Sequence, residues 1–288
     1  MQKDSVILDN GVLRAEIAMP YALYNGPRFE NCGIIRQVTL NGGAAFCASE
    51  KEGSEYRGGG IGLCCEFGID NALDYNEANP GEWVVKIGVG RIKKEDGQPF
   101  FHERPFEFER LDIACAEGEN AVAFSASQPE LRGYAYEYAK RISINNNSLK
   151  IDYALKNTGE RDIVTNEYCH NFTRFNDVNI GKGYVLEVLD AEWDFSPDSP
   201  KPGTLAFGRE PERTYYKRDS EPKNIWGWRL THNGLGLRMS ERLSADACRF
   251  ALWGTNRVIS PELFMGISLK PGEGQEWSRE YAFEEGVL

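Results

Sequence analysis

Tyr134-Ala-Tyr-Glu-Tyr-Ala-Lys-Arg-Ile-Ser-Ile-Asn-Asn-Asn-Ser-Leu-Lys-Ile-Asp-Tyr-Ala-Leu-Lys156 decides the fold. Tyr134, Tyr136, Tyr138, Lys140, Ile142 and Ile144 fall on one side of a period-two pattern. Leu149, Ile151, Tyr153 and Leu155 then alternate with Lys150, Asp152, Ala154 and Lys156. Successive side chains of a strand point to opposite faces, so aromatic and β-branched residues at this spacing mark two half-buried strands. Asn145-Asn146-Asn147 supplies the turn between them.

Working outward, similar runs occupy Val12 to Ala18, Ile34 to Leu40, Glu82 to Ile92, Tyr184 to Leu189, Ala247 to Trp253, Leu263 to Leu269 and Glu276 to Phe283. Turn signals such as Asn10-Gly11, Asn41-Gly42, Asn157-Thr158-Gly159, Asn233-Gly234 and Pro271-Gly272 separate many of them. Amphipathic helix patterns are almost absent. Many antiparallel strands bury their apolar faces by packing sheet on sheet, so the expectation is all-β, a large twisted antiparallel β-sandwich. No low-complexity linker or fixed-period repeat divides the chain. Residues 1–288 therefore read as a single domain, with the Pro-rich stretch Phe195 to Gly208 as a surface loop.

With 33 Lys+Arg against 44 Asp+Glu, the net charge of −11 repels phosphate backbones and anionic lipid heads. Nucleic acid and membrane surfaces are therefore excluded as expected partners. A neutral, hydroxyl-rich small molecule suits the balance, because carboxylates and amides bond sugar hydroxyls without needing an opposite charge. Met1 to Ser5 lacks the basic start and apolar run of a secretory signal, and no apolar span is long enough to cross a bilayer. Seven cysteines without framework spacing fit reduced thiols. Together these point to the cytoplasm, and a homodimer is compatible with the composition.

Familiar chemical motifs fail. Arg57-Gly58-Gly59-Gly60-Ile61-Gly62 has no following Lys-Ser/Thr and no expected helix, so it reads as a loop rather than a phosphate cradle. His102, His170 and His232 are scattered without ligand spacing, so no metal is expected. No Gly-x-Ser-x-Gly elbow is present. Ile163 to Asn176 is more informative: as a strand it aligns Tyr168, His170 and Phe172 on one face, an imidazole between two aromatic rings that could stack on a sugar. Read alone, His170 could equally be a packed core residue, and Glu262 a surface carboxylate after Pro261.

Several segments in order resemble the galactose mutarotase (aldose 1-epimerase) superfamily, including its uncharacterised mutarotase-like members. They are Tyr24-Asn25-Gly26-Pro27-Arg28-Phe29-Glu30, Glu66-Phe67-Gly68-Ile69, Lys86-Ile87-Gly88-Val89-Gly90, Lys156-Asn157-Thr158-Gly159, His170-Asn171-Phe172, and Ile259-Ser260-Pro261-Glu262-Leu263 ahead of Leu269-Lys270-Pro271-Gly272-Glu273. The resemblance implies a carbohydrate-binding fold in which His170 protonates the ring oxygen and Glu262 takes the proton from the anomeric hydroxyl. Ring opening needs both acts together, and neither calls for a cofactor.

Arg28, Arg57, Lys86, Lys140, Asn171 and Trp253 are the candidate substrate contacts. Arg28 and Arg57 stand beside turn glycines where a guanidinium can bond two hydroxyls, and Trp253 could be a stacking platform. The superfamily's Leu-His-Gly-Gly motif is replaced by Tyr56-Arg57-Gly58-Gly59, which points to a different substrate or less chemistry. The expected function is aldose 1-epimerase-like interconversion of sugar anomers. The alternative is a non-catalytic carbohydrate-binding or sensing domain on the same fold. A hydrolase or lyase would want a second carboxylate, for which Glu66 is the nominee.

Overall fold

The structure is a computed structural model that describes residues 3–51, 60–195, 199–212, 214–219 and 225–286. Among these residues there is no helix, and therefore none long and apolar enough to cross a membrane. Two large antiparallel sheets dominate. The first, here the site sheet, runs Ser5–Asp9, Leu13–Ala18, Ile35–Leu40, Leu63–Phe67, Ile163–Asn171, Ile259–Leu269, Arg249–Gly254 and Tyr215–Asp219, with Ala44–Ala45 paired to Ile35–Leu40. The second runs Thr204–Ala206, Tyr184–Val188, Gly227–His232, Leu237–Leu243, Gly274–Glu285, Ser148–Asn157, Tyr134–Asn145, Ala121–Leu131 and Ile113–Glu117. A small sheet of Trp83–Lys86, Gly90–Lys93 and Phe108–Arg110 stands apart.

The opening hairpin forms as its periodicity requires, with Tyr136 opposite Asn157 and Asn145 opposite Ser148. Asn146 takes the left-handed turn position, φ 48°, which asparagine tolerates. Tyr136, Tyr138, Ile142, Leu149, Ile151 and Tyr153 are buried between the sheets. Ring contacts join the two layers: Phe67 meets Tyr138 edge-on at 5.4 Å and Phe46 meets Phe283 at 4.9 Å.

Two sequence expectations are corrected. Glu82 to Ile92 is a hairpin rather than one strand, because Gly88 turns at φ 76° and a Cβ there would come within 2.5 Å of Glu30 Cβ. The Phe195 to Gly208 stretch contains a strand, Thr204–Ala206, that extends the edge of the second sheet.

The sandwich interior also holds charge. Arg279, fully buried, lies between two fully buried carboxylates: Nη2 is 2.7 Å from Glu167 Oε2 and Nη1 is 2.5 Å from Glu241 Oε1. Trp228 and Trp277 donate their indole N–H groups to the same pair. Desolvated charges need hydrogen-bonded partners, and Arg279 Nε and Nη2 find further ones in Glu167 Oε1 and in the Glu167 and Leu263 carbonyls.

Candidate active site

Ile163–Asn171 lies at the middle of the site sheet, between Leu63–Phe67 and Ile259–Leu269. Alternation sends Glu167, Cys169 and Asn171 into the sandwich and turns Tyr168 and His170 to the outer face, followed by Phe172. The register with Ile259–Leu269 pairs Tyr168 with Phe264 and, further on, Thr173 with Ile259. Between those pairs His170 falls beside Glu262. Pro261 has no N–H for the ladder. The Asn171 N–H donates instead to Ser260 Oγ at 2.8 Å, and Asn171 Nδ2 donates to the Pro261 carbonyl at 2.6 Å.

His170 Nε2 consequently stands 3.5 Å from Glu262 Oε1, and both side chains are about 95 % buried, with 5 % and 4 % exposed. Phe172 stacks on the imidazole at 4.0 Å with 7° between the planes, and Trp253 meets it edge-on at 5.0 Å. Phe29 closes a third side at 6.1 Å. Gly60 packs so closely over Phe172 that a Cβ would lie 1.5 Å from the ring.

Ser260 Oγ accepts the Asn171 N–H, so its own proton is directed to Glu262 Oε1 at 2.9 Å. Burial pushes the Glu262 carboxyl up to about 8, against the lowering effect of the Ser260 hydrogen bond and the Arg28 charge. Burial pushes His170 well below the usual histidine range, and the Arg28 and His102 charges push the same way. Among the described residues His170 Nδ1 is buried with no partner. An imidazolium would leave an unpaired N–H there, so the surroundings favour a neutral ring.

Beside this pair sits an ionic anchor. Glu66, fully buried, accepts from Tyr168 Oη at 2.7 Å, Arg28 Nε at 3.1 Å and Lys86 Nζ at 3.1 Å. Burial raises the Glu66 carboxyl, but the Lys86 and Arg28 charges outweigh it and hold the group below the usual carboxylate range. Lys86 also donates to the carbonyls of Phe67 and Gly68 at 2.5 and 3.0 Å, so it is a fully engaged strut.

The structure thus brings His170, Glu262, Trp253 and Arg28 to one face, with Lys86 beneath Arg28. Two candidates lie on the other side. Lys140 is buried between the sheets, paired with Glu30. Asn171 is fully buried, its amide engaged by Glu241 at 3.1 Å, the Pro261 carbonyl and Tyr281 Oη at 3.1 Å. Arg57 lies outside the described residues. Sequence reasoning did not single out Ser260 or Phe29. Ser260 was findable, because two residues before Glu262 on a strand is the same face, whereas Phe29 arrives from a loop with no periodic signal.

A cleft of about 1080 Å³ opens beside Arg28. A concavity of about 1160 Å³ on the outer face of the second sheet is floored by Ala114, Ser125, Ala139 and Ala154, and no histidine lines it.

No protein-family model and no curated protein matches the chain. Solved structures do. A candidate aldose 1-epimerase from Escherichia coli K12 superposes with a TM-score of 0.67 at 10 % identity, covering 98 % of this chain and 99 % of that one. A galactose mutarotase-like protein from Lactobacillus casei gives 0.62 at 13 % identity, covering 97 % and 100 %. Another from Clostridium acetobutylicum gives 0.59 at 11 % identity, covering 98 % and 95 %. The chain has the galactose mutarotase-like fold. At these identities the likeness establishes the mutarotase-like architecture alone, since one fold hosts many chemistries.

Proposed function

We propose that this protein is an aldose 1-epimerase-like isomerase that interconverts the anomers of a sugar, with His170 and Glu262 exchanging the protons. The observation that carries the reading is the 3.5 Å approach of His170 Nε2 to Glu262 Oε1 within an aromatic wall on the fold's outer face.

The ring oxygen and the anomeric hydroxyl are both borne by C1. Opening the ring removes the proton from the hydroxyl and delivers one to the ring oxygen. Rotation about C1–C2 and the reverse transfers then give the other anomer. Two adjacent groups that share one proton can serve both oxygens. In the free protein, burial favours that proton on the Glu262 carboxyl, with His170 neutral. Passing it to His170 leaves the pair's net charge unchanged. A bound sugar favours this transfer, because its hydroxyl donates to the carboxylate while its ring oxygen accepts from the imidazolium. Phe172 and Trp253 give the apolar face of a pyranose a surface to stack on, and Arg28 offers donors to its hydroxyls.

Hydrolysis fits less well, since Glu66 is engaged by Arg28, Lys86 and Tyr168 and is not free to act as the second carboxylate. Acceleration of anomer exchange, followed by NMR exchange spectroscopy or polarimetry across an aldose panel, tests the proposal. Sugar binding without acceleration would leave the non-catalytic binding domain as the function.

A further inference from the structure

Arg28 belongs to two places at once. Its Nη2 donates to Tyr168 Oη at 3.3 Å, and its guanidinium carbon lies 4.7 Å from the Phe29 ring, whose centroid is 6.1 Å from His170. It also lines the cleft of about 1080 Å³, together with Tyr21, Glu50, His102, Arg104 and Phe108. The cleft therefore starts one side chain, Phe29, away from the imidazole. Pockets that enclose drug-sized ligands run to about 300–1,000 Å³, so this one exceeds what one hexose fills.

Charge decides what kind of ligand fits. Arg28 is held by Glu66, and Arg104 is bonded to Asp96 at 2.9 Å. Glu50 and Glu103 stand on the cleft wall, with Glu103 3.9 Å from Arg28 Nη1. A phosphate or carboxylate would meet two carboxylates, two arginines already engaged and, among the described residues, Lys51 as the one further cation on the wall. A neutral polyol meets aromatic faces, hydroxyl and carboxylate acceptors, and the Asn25 amide and His102 imidazole donors.

We propose that the cleft beyond Arg28 is a second sugar subsite, so that the molecule presented to His170 and Glu262 is a neutral oligosaccharide held with its reducing end inward. This rests on the epimerase reading for what happens at the reducing end, but the subsite itself is a matter of binding. Binding energy from a remote sugar unit improves the reaction at C1 when both are held together.

The test compares glucose, galactose, glucose 6-phosphate, maltose, lactose and isomaltose as substrates of the full chain. The best disaccharide should exceed either hexose by about tenfold or more in kcat/KM, and glucose 6-phosphate should not exceed glucose. In His102→Ala and Glu103→Ala, both on an accessible loop, the disaccharide-to-hexose ratio should fall toward one. Equal rates for hexose and disaccharide, or a preference for the phosphate, overturn the subsite while leaving the epimerase reading intact. Calorimetric binding of the same sugars to Glu262→Gln provides the other arm. Tighter binding of a disaccharide than of hexoses, with no acceleration by the unmodified protein, keeps the subsite and removes the epimerase reading. No binding and no acceleration removes both.

Discussion

Replacing Ser260 with alanine removes one hydroxyl from the site and should shift its pH dependence. Ser260 is the only donor bonded to Glu262 Oε1 among the described residues' hydrogen bonds, at 2.9 Å, and it favours the ionised carboxylate. A hydrogen bond to a charged group is worth about 1.5–3 kcal/mol, and one pH unit corresponds to about 1.4 kcal/mol, so the Glu262 carboxyl should titrate about one to two pH units higher without it. Its starting point is about 8. In the shared-proton mechanism, kcat/KM falls as pH rises through this value, because the pair then loses its only mobile proton. Ser260→Ala should move that falling limb upward, whereas Ser260→Thr, which keeps the hydroxyl, should leave it in place. Two readouts are needed: anomer exchange against pH, corrected for the uncatalysed rate, and ¹³C titration of the Glu262 carboxyl. An unchanged titration in Ser260→Ala, or a limb that rises rather than falls through the Glu262 value, refutes the reasoning.

Other consequences follow from burial. Glu262 moves from an ordinary 4.5 to about 8 on folding, so its contribution to stability is complete below the lower value and is lost as pH rises through the higher one. Glu262→Gln should therefore stabilise the fold by up to about 3–5 kcal/mol above pH 8, with the gain vanishing near pH 4.5, as read by denaturant titration at several pH values. A gain independent of pH would contradict this. Arg279→Met leaves Glu167 and Glu241 buried without their cation and should cost about 3–5 kcal/mol, measured by urea unfolding. A loss near zero would contradict the role given to Arg279 in this network. The disaccharide preference proposed above is a further expected outcome, read as a ratio of kcat/KM values.

Much of this was legible in the sequence, for reasons that differ from residue to residue. Period-two alternation is a local property, so the Tyr134–Asn145 and Ser148–Asn157 strands and their asparagine turn could be read directly. The Glu82 to Ile92 hairpin could not, because apolar Val89 conceals a turn that only the packing of Gly88 against Glu30 makes obligatory. Leu63–Phe67 escaped because both its faces are buried, and its one charged residue, Glu66, is held by Arg28 and Lys86 rather than marking an exterior. In the site, face alternation placed Tyr168, His170 and Phe172 together. The approach of Glu262 depends on register across 92 positions of chain, which resemblance suggested and local pattern did not contain. Lys140 depends on a non-local partner in the same way. Its face was read with Tyr138, but its partner Glu30 comes from a distant loop, and that partner is what makes a buried lysine structural.

The most direct test of the central claim is anomer exchange by NMR on the unmodified protein beside His170→Ala and Glu262→Gln, using the hexoses and disaccharides named above. The account predicts acceleration of at least one sugar and a loss of about 10²–10⁴-fold in each variant, the range expected when a positioned proton-transfer group is removed. Acceleration that survives both substitutions, in proteins shown to be folded, would contradict it.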